Sequence, residues 1–265
     1  MNNDSIGKTI TVAAILCIVC SILVSGAAVS LRPKQLLNKQ LDIKKNLLLA
    51  AGLLTNTKAS KKEIEDAFSV VETKLIDLET GEEATDIDAA TFDAVKAAKD
   101  PEMGKKIAAS DDIGGLKIRA KHSKVYLVKE GGTVTQVILP VHGKGLWSTM
   151  YGFLALSPDT KMVKGFGFYQ HGETPGLGGE VDNPNWKKQW IGKRILSDDY
   201  KPVIDIVKGA ANPSSPTIGQ EIDGLSGATI TSNGVEYALH YWLGDDGFGP
   251  FLAKFRAAGA PAGGM

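Results

Sequence analysis

Between Thr9 and Leu31 the chain runs TITVAAILCIVCSILVSGAAVSL, 23 residues without a charged side chain. At about 1.5 Å per residue such a helix spans roughly 34 Å, a full hydrocarbon core, and lipid requires the backbone to satisfy its own hydrogen bonds. The run therefore predicts one transmembrane helix over 9–31. A cleavable signal is the competing reading, because Ser25-Gly-Ala-Ala-Val29 offers small residues after an apolar stretch. Signal cores run about 7 to 15 residues, so the length predicts a retained anchor. Lys8 and the α-amino group precede the run, against Arg32, Lys34 and Lys39 after it. That count alone would put the large domain in the cytoplasm, but long domains cross largely regardless of charge, and the side stays open.

The whole chain has 265 residues, enough for one large domain plus appendages. Lysine plus arginine equals aspartate plus glutamate, 30 against 30, so no global field favours nucleic acid. Both cysteines, Cys17 and Cys20, lie in the apolar run, so the body can hold neither a disulfide nor a thiolate-bound metal. We read the pair as small apolar helix residues. His122, His142, His171 and His240 are far apart and form no metal-binding spacing. The Ala- and Gly-rich tail, 257–265, has little to bury and is expected to fray.

Arg32-Pro33 predicts a helix end, with the leucines at 36, 37, 41, 47 and 48 continuing a helical spacing over 34–54. Ser60-Lys-Lys-Glu63 is a capping box that opens a short helix. Val71 to Leu78 reads as a strand and Asp88 to Lys99 as a small helix. Lys117–Lys129 and Thr133–Val141 alternate apolar and polar residues across Glu130-Gly-Gly132 and predict a hairpin. Met150–Leu156 and Met162–Tyr169 repeat the pattern across Ser157-Pro-Asp-Thr160, and Val203–Val207 adds a strand. Thr229–Leu243 and Pro250–Arg256 read as helices. The expected class is α+β: one N-terminal transmembrane helix, then a soluble domain with an antiparallel sheet and flanking helices. The expected segments are a tail (1–8), the anchor (9–31), a helical and mixed part (32–116), the main domain (117–256) and the frayed tail.

Three glycine-rich segments stand out. Ser226-Gly-Ala-Thr229 precedes a helical run, where small residues let backbone amides approach an anion; an ordinary cap explains the same residues. His171-Gly-Glu-Thr-Pro-Gly-Leu-Gly-Gly-Glu180 would let a flat ligand lie close to main chain, or is a plain turn cluster. Gly143-Lys-Gly-Leu-Trp147 offers a cation and an aromatic wall. Ser226 lacks a nucleophile-elbow context, and no carboxylate pair stands out as acid and base. Self-contained substrate chemistry is unsupported, a gap that a bound cofactor would fill.

Taken together, Asp223-Gly-Leu-Ser-Gly-Ala-Thr229, Glu173-Thr-Pro-Gly-Leu-Gly178 and Gly143-Lys-Gly-Leu-Trp147, behind one membrane helix, resemble a covalent-FMN-binding family. It is the family of the C subunits of the sodium-translocating NADH:quinone reductases, and the likeness runs from the anchor to about Lys254. The family pattern Asp-x-x-Ser/Thr-Gly-Ala-Thr is the recognition sequence of a flavin transferase that uses FAD to join FMN through its phosphate to the final threonine. The resemblance therefore implies attachment at Thr229, with Thr231 the rival on hydroxyl chemistry alone. It also implies flavin contacts from Glu173, Thr174, Leu177, Gly178 and Trp147, with Lys144 and Ser148 beside them and Asp223, Ser226, Gly227 and Ala228 in the motif.

Further implications are a single-pass place in an inner membrane, a periplasmic domain and a multi-subunit redox complex as partner. The subunit would carry electrons from NADH toward ubiquinone while sodium moves, with no complete active site of its own. The flavin subunit of the related ferredoxin:NAD oxidoreductase shares anchor, fold and motif; the extra chain between 34 and 117 favours the quinone reductase. A third reading is a non-redox membrane-anchored binding or assembly module in which Ser226-Gly-Ala-Thr229 is only a helix cap.

Overall fold

The structure, a computed structural model, describes residues 5–259. The expected tails therefore fall largely outside the described residues, at 1–4 and 260–265. The chain divides into two units, 1–43 and 44–265. Helix α1, Ile6–Ala50, begins in the first and ends in the second. Its first stretch exposes Ile10, Ile15, Leu16, Ile22, Leu23 and Val24, and the helix is long and apolar enough to cross a membrane. The break expected at Pro33 does not occur. Proline withdraws one backbone donor, but turns on both sides propagate cooperatively and the helix continues through it.

In the second unit the elements run α2 (Lys61–Phe68), β1 (Val71–Asp77), α3 (Ala94–Ala97), β2 (Gly104–Lys106), β3 (Ile118–Ala120), β4 (His122–Glu130), β5 (Thr133–Lys144), β6 (Thr149–Leu156) and β7 (Val163–Gln170). Then follow α4 (Pro184–Gln189), β8 (Asp205–Val207), β9 (Glu221–Asp223), α5 (Thr229–Leu243) and α6 (Gly249–Ala257). The capping box of α2 is complete: Ser60 Oγ accepts from Glu63 N, and Glu63 Oε2 accepts from Ser60 N at 2.7 Å.

Five strands form one antiparallel sheet in the order β1-β4-β5-β6-β7. The predicted hairpin closes with Glu130 opposite Thr133. Its first arm is not one strand, however. The chain changes sheets at Lys121, whose amide donates to Met103 O while its carbonyl accepts from Leu78 N; residues before it, in β3, pair with β2 instead. The sheet thus draws on chain from both sides of residue 117. The helix expected over 88–99 shrinks to α3, because Asp88 and Asp93 each turn a carboxylate onto amides just ahead and restart the chain locally. The strand expected over 203–207 is three residues long and pairs parallel with β9, outside the main sheet.

Helix α5 lies on β5, and the core forms between them: Val137, Leu139 and Val141 alternate inward against Val235, Leu239 and Trp242. Trp242 Nε1 donates to His142 O at 2.6 Å, tying the end of the helix to the strand. The His142 ring stacks on Tyr151 at 5.3 Å, and burial pushes its imidazole down from 6.5 to about 4. A histidine held neutral in the fold contributes stability that is complete above about 6.5 and is lost as pH falls toward 4. The urea midpoint should drop across that window, and His142→Phe should remove part of the drop.

Candidate functional site

Strand β9 delivers the chain through Gly224–Ala228 into α5. Ser232 Oγ accepts from Leu225 N at 3.0 Å, folding the loop back over the helix start. Gly227 sits at φ +70°, where a side chain is strained, and a Cβ there would meet Leu177 Cδ2 at 3.0 Å. Ala228 occupies the cap position and offers no side-chain acceptor. Among the described residues, no acceptor faces the amides of Thr229, Ile230 and Thr231. Three orphan donors and the positive end of a 15-residue helix therefore meet at Thr229. The Thr229 side chain is exposed. An open cleft of about 670 Å³ lies beside it, lined in part by Lys208, Gly209, Ser226, Gly227 and Asn233.

Thr231, two positions along, is fully buried. Its hydroxyl donates to Glu173 Oε2 at 2.7 Å, so it has neither access nor a free proton to offer. That bond opens onto a larger arrangement. The Glu173 carboxylate also accepts from the amides of Leu146 (3.1 Å), Trp147 (3.0 Å) and Ser148 (3.0 Å), and from Ser148 Oγ (3.2 Å). Ser148 Oγ in turn accepts from Gly172 N at 2.7 Å. A Cβ on Gly178 would lie 2.6 Å from Thr231 Oγ1 and 2.9 Å from Glu173 Oε2, so only glycine lets the loop close over the pair. Burial pushes the Glu173 carboxyl up, but the Thr231 hydroxyl and the three amides outweigh it and hold the pKa below the usual carboxylate range.

Two of the glycine-rich segments thus meet at one carboxylate, and Thr231, two residues past the third, joins them there. Trp147 and Leu177 are 67 % and 44 % exposed, giving an apolar margin to the site, and Thr174 is exposed beside them. Lys144 is exposed at the end of β5. Ser148 is fully engaged in the knot around Glu173. Asp223 lines the cleft, but its carboxylate accepts from Ala211 N at 2.8 Å and Gln189 Nε2 at 2.9 Å. Its carbonyl accepts from Trp186 Nε1, so the first residue of the motif ties three segments together. Lys208, Gly209 and Asn233 were not expected from the sequence. Asn233 lies one helical turn after Thr229 and is within reach of helical spacing; Lys208 and Gly209 arrive through the β8–β9 pairing and leave no local signal.

A family model described as FMN-binding domain matches residues 145–244, which include Trp147, Glu173 and Thr229. The C subunit of the Na(+)-translocating NADH-quinone reductase of Yersinia pestis is 49 % identical over 257 residues, covering 96 % of this chain and 95 % of its own. The chain belongs to this C-subunit family. The corresponding Vibrio parahaemolyticus protein is likewise 49 % identical, over 97 % of this chain and 98 % of its own. The crystal structure of Shewanella oneidensis NqrC superposes with a TM-score of 0.75 at 35 % identity, covering 83 % of this chain and 99 % of that one. The C subunit from Parabacteroides distasonis gives 0.64 at 30 %, over 84 % and 96 %. As a member of the family, the chain shares the antiparallel-sheet domain of these structures. The ferredoxin-linked alternative gains nothing from these relatives.

Proposed function

We propose that this protein carries FMN joined through its phosphate to Thr229, and that it relays electrons within a sodium-translocating NADH:quinone reductase. One observation carries the reading: an exposed threonine hydroxyl stands at the mouth of a cleft, on a helix start whose first three amides have no acceptor among the described residues. A phosphodiester there would accept from those amides and sit in the helix field. Lys208 and Asn233 line the same cleft and would face the phosphate, while Trp147 and Leu177 would hold the ring system.

No side chain among the described residues hydrogen-bonds the Thr229 hydroxyl, and an unactivated hydroxyl is a poor nucleophile. A flavin transferase would supply the base. In that step Thr229 Oγ bonds to the flavin-side phosphorus of FAD, the bridging P–O bond breaks, AMP leaves, and the hydroxyl proton passes to the transferase. The flavin, once bound, supplies the electron-carrying chemistry. The chain's part is to fix it: a covalent tether holds its local concentration, and the Glu173 knot fixes the loops around it. The apolar run 9–31 would anchor the protein in an inner membrane with its domain on the periplasmic side.

The test is direct. The chain coexpressed with a flavin transferase, denatured and run on a gel, should give an ultraviolet-fluorescent band. The assembled complex should reduce quinone with NADH, stimulated by sodium. A dark band would remove the covalent flavin and leave the non-redox reading in place.

A further inference from the structure

Glu173 sits among residues that the family likeness placed around a flavin ring, yet its carboxylate points away from any open surface. It is 5 % exposed, and its hydrogen bonds run into the protein: three consecutive amides of 146–148, the Ser148 hydroxyl, and the Thr231 hydroxyl. Three segments of the site meet in these bonds. The amides belong to the turn between β5 and β6, Glu173 itself to the loop after β7, and Thr231 to the first turn of α5. Gly178 closes over Thr231 Oγ1, and Leu177 beside it covers Gly227.

We infer that Glu173 is a positioning residue: its buried carboxylate locks the 146–148 turn, the 172–178 loop and the start of α5 into one cradle that holds the cofactor on Thr229 without touching it. This rests on the reading of Thr229 as the flavin-bearing residue. A carboxylate suits the task because it accepts on two oxygens at once and donates nothing. Glu173→Gln would turn its amide donor toward either Leu146 N or the Trp147 and Ser148 amides, setting buried donors against each other. Thr231→Val removes only the helix side of the knot and keeps the shape of the side chain.

The experiment uses the full chain coexpressed with a flavin transferase, as wild type, Glu173→Gln, Thr231→Val and Thr231→Ser. Hydrogen exchange reads the amides of 146–148, and fluorescence anisotropy with iodide quenching reads flavin mobility. Thr231→Val should lower protection at 146–148 on the order of tenfold although it touches none of those amides. It should also lower flavin anisotropy and raise iodide quenching while the flavin stays attached. Thr231→Ser, which restores the hydroxyl, should recover both, and Glu173→Gln should match or exceed the valine variant. Unchanged anisotropy and quenching in a folded, flavinylated Thr231→Val or Glu173→Gln would overturn the inference, as would a serine variant that fails to recover. If Glu173→Gln does not fold, the Thr231 pair decides. A wild type without covalent flavin would remove the proposed function, and the exchange data at 146–148 would still decide whether the knot couples the segments.

Discussion

Thr229→Ala should abolish the covalent flavin entirely, while Thr231→Val should keep it. The asymmetry follows from where a helix places positions two apart. At 3.6 residues per turn they point about 200° apart, so if one faces the cleft the other faces the core. Thr229 is exposed beside the cleft, and Thr231 is fully buried with its hydroxyl committed to Glu173. The exposed Thr229 hydroxyl has no hydrogen-bond partner among the described residues, so its loss should leave stability within about 0.5 kcal/mol of wild type. The loss would then be chemical: no fluorescent gel band, an intact mass lacking one attached FMN, and no NADH-driven quinone reduction through the complex. A bright band in Thr229→Ala, or its disappearance only in Thr231→Val, would move the attachment site.

How far these features could be read from the sequence depends on how local their physics is. Helix α5 begins and ends where its pattern predicts, at Thr229 and Leu243, because small residues lead into a largely apolar and aromatic run and Gly244 stops it. The capping box of α2 and the Gly131-Gly132 hairpin are equally local. The pairing of β1 with β4 joins Val71 to Val128, a separation that no short window reports. The change of sheets at Lys121 is set by its bonds to Met103 and Leu78, partners far away in sequence that a run read as one strand does not reveal. At the site, composition marked all three loops but not what joins them. Glu173 reads from sequence as a polar residue in a ligand loop. Its carboxylate instead faces inward, because three amides in a glycine-bounded turn need an acceptor and this side chain reaches them. The inward-facing Thr231 was accessible in principle, from its angle to Thr229 on the same helix.

The second large effect lies at the other end of α5. Asp246→Ala should destabilise the domain by about 3 kcal/mol, the lower end of the range seen when one partner of a buried ion pair is removed, since Arg119 is buried but Asp246 and Lys105 are partly exposed. Arg119, on β3, is 1 % exposed, and its guanidinium donates to Asp246 Oδ1 at 3.1 Å and to Ala120 O at 2.9 Å. Lys105, on β2, donates to the same Oδ1 at 2.6 Å, and Tyr241 OH donates to Oδ2 at 2.7 Å. One carboxylate thus clamps both strands of the small sheet to the last turn of α5. Alanine would leave a buried guanidinium with no counter-charge. Burial pushes the Asp246 carboxyl up, but the bonds from Lys105, Tyr241 and Arg119 outweigh it and bring it down to about 2. A depressed carboxyl contributes stability that is full above its ordinary value near 3.8 and is lost as pH falls through about 2. The variant should therefore lose stability at neutral pH and show a flatter acid dependence below pH 4, read from urea midpoints across that range. Thr229 stands 14 residues before the end of the helix, roughly 21 Å away at about 1.5 Å per residue. Asp246→Ala protein that is still folded should consequently carry its flavin, because the clamp secures the far end of the helix while the amides, the cleft and the Glu173 knot secure the near one. Destabilised protein with a bright gel band is the expected pair of results, and full stability in Asp246→Ala would show that Arg119 finds its compensation elsewhere.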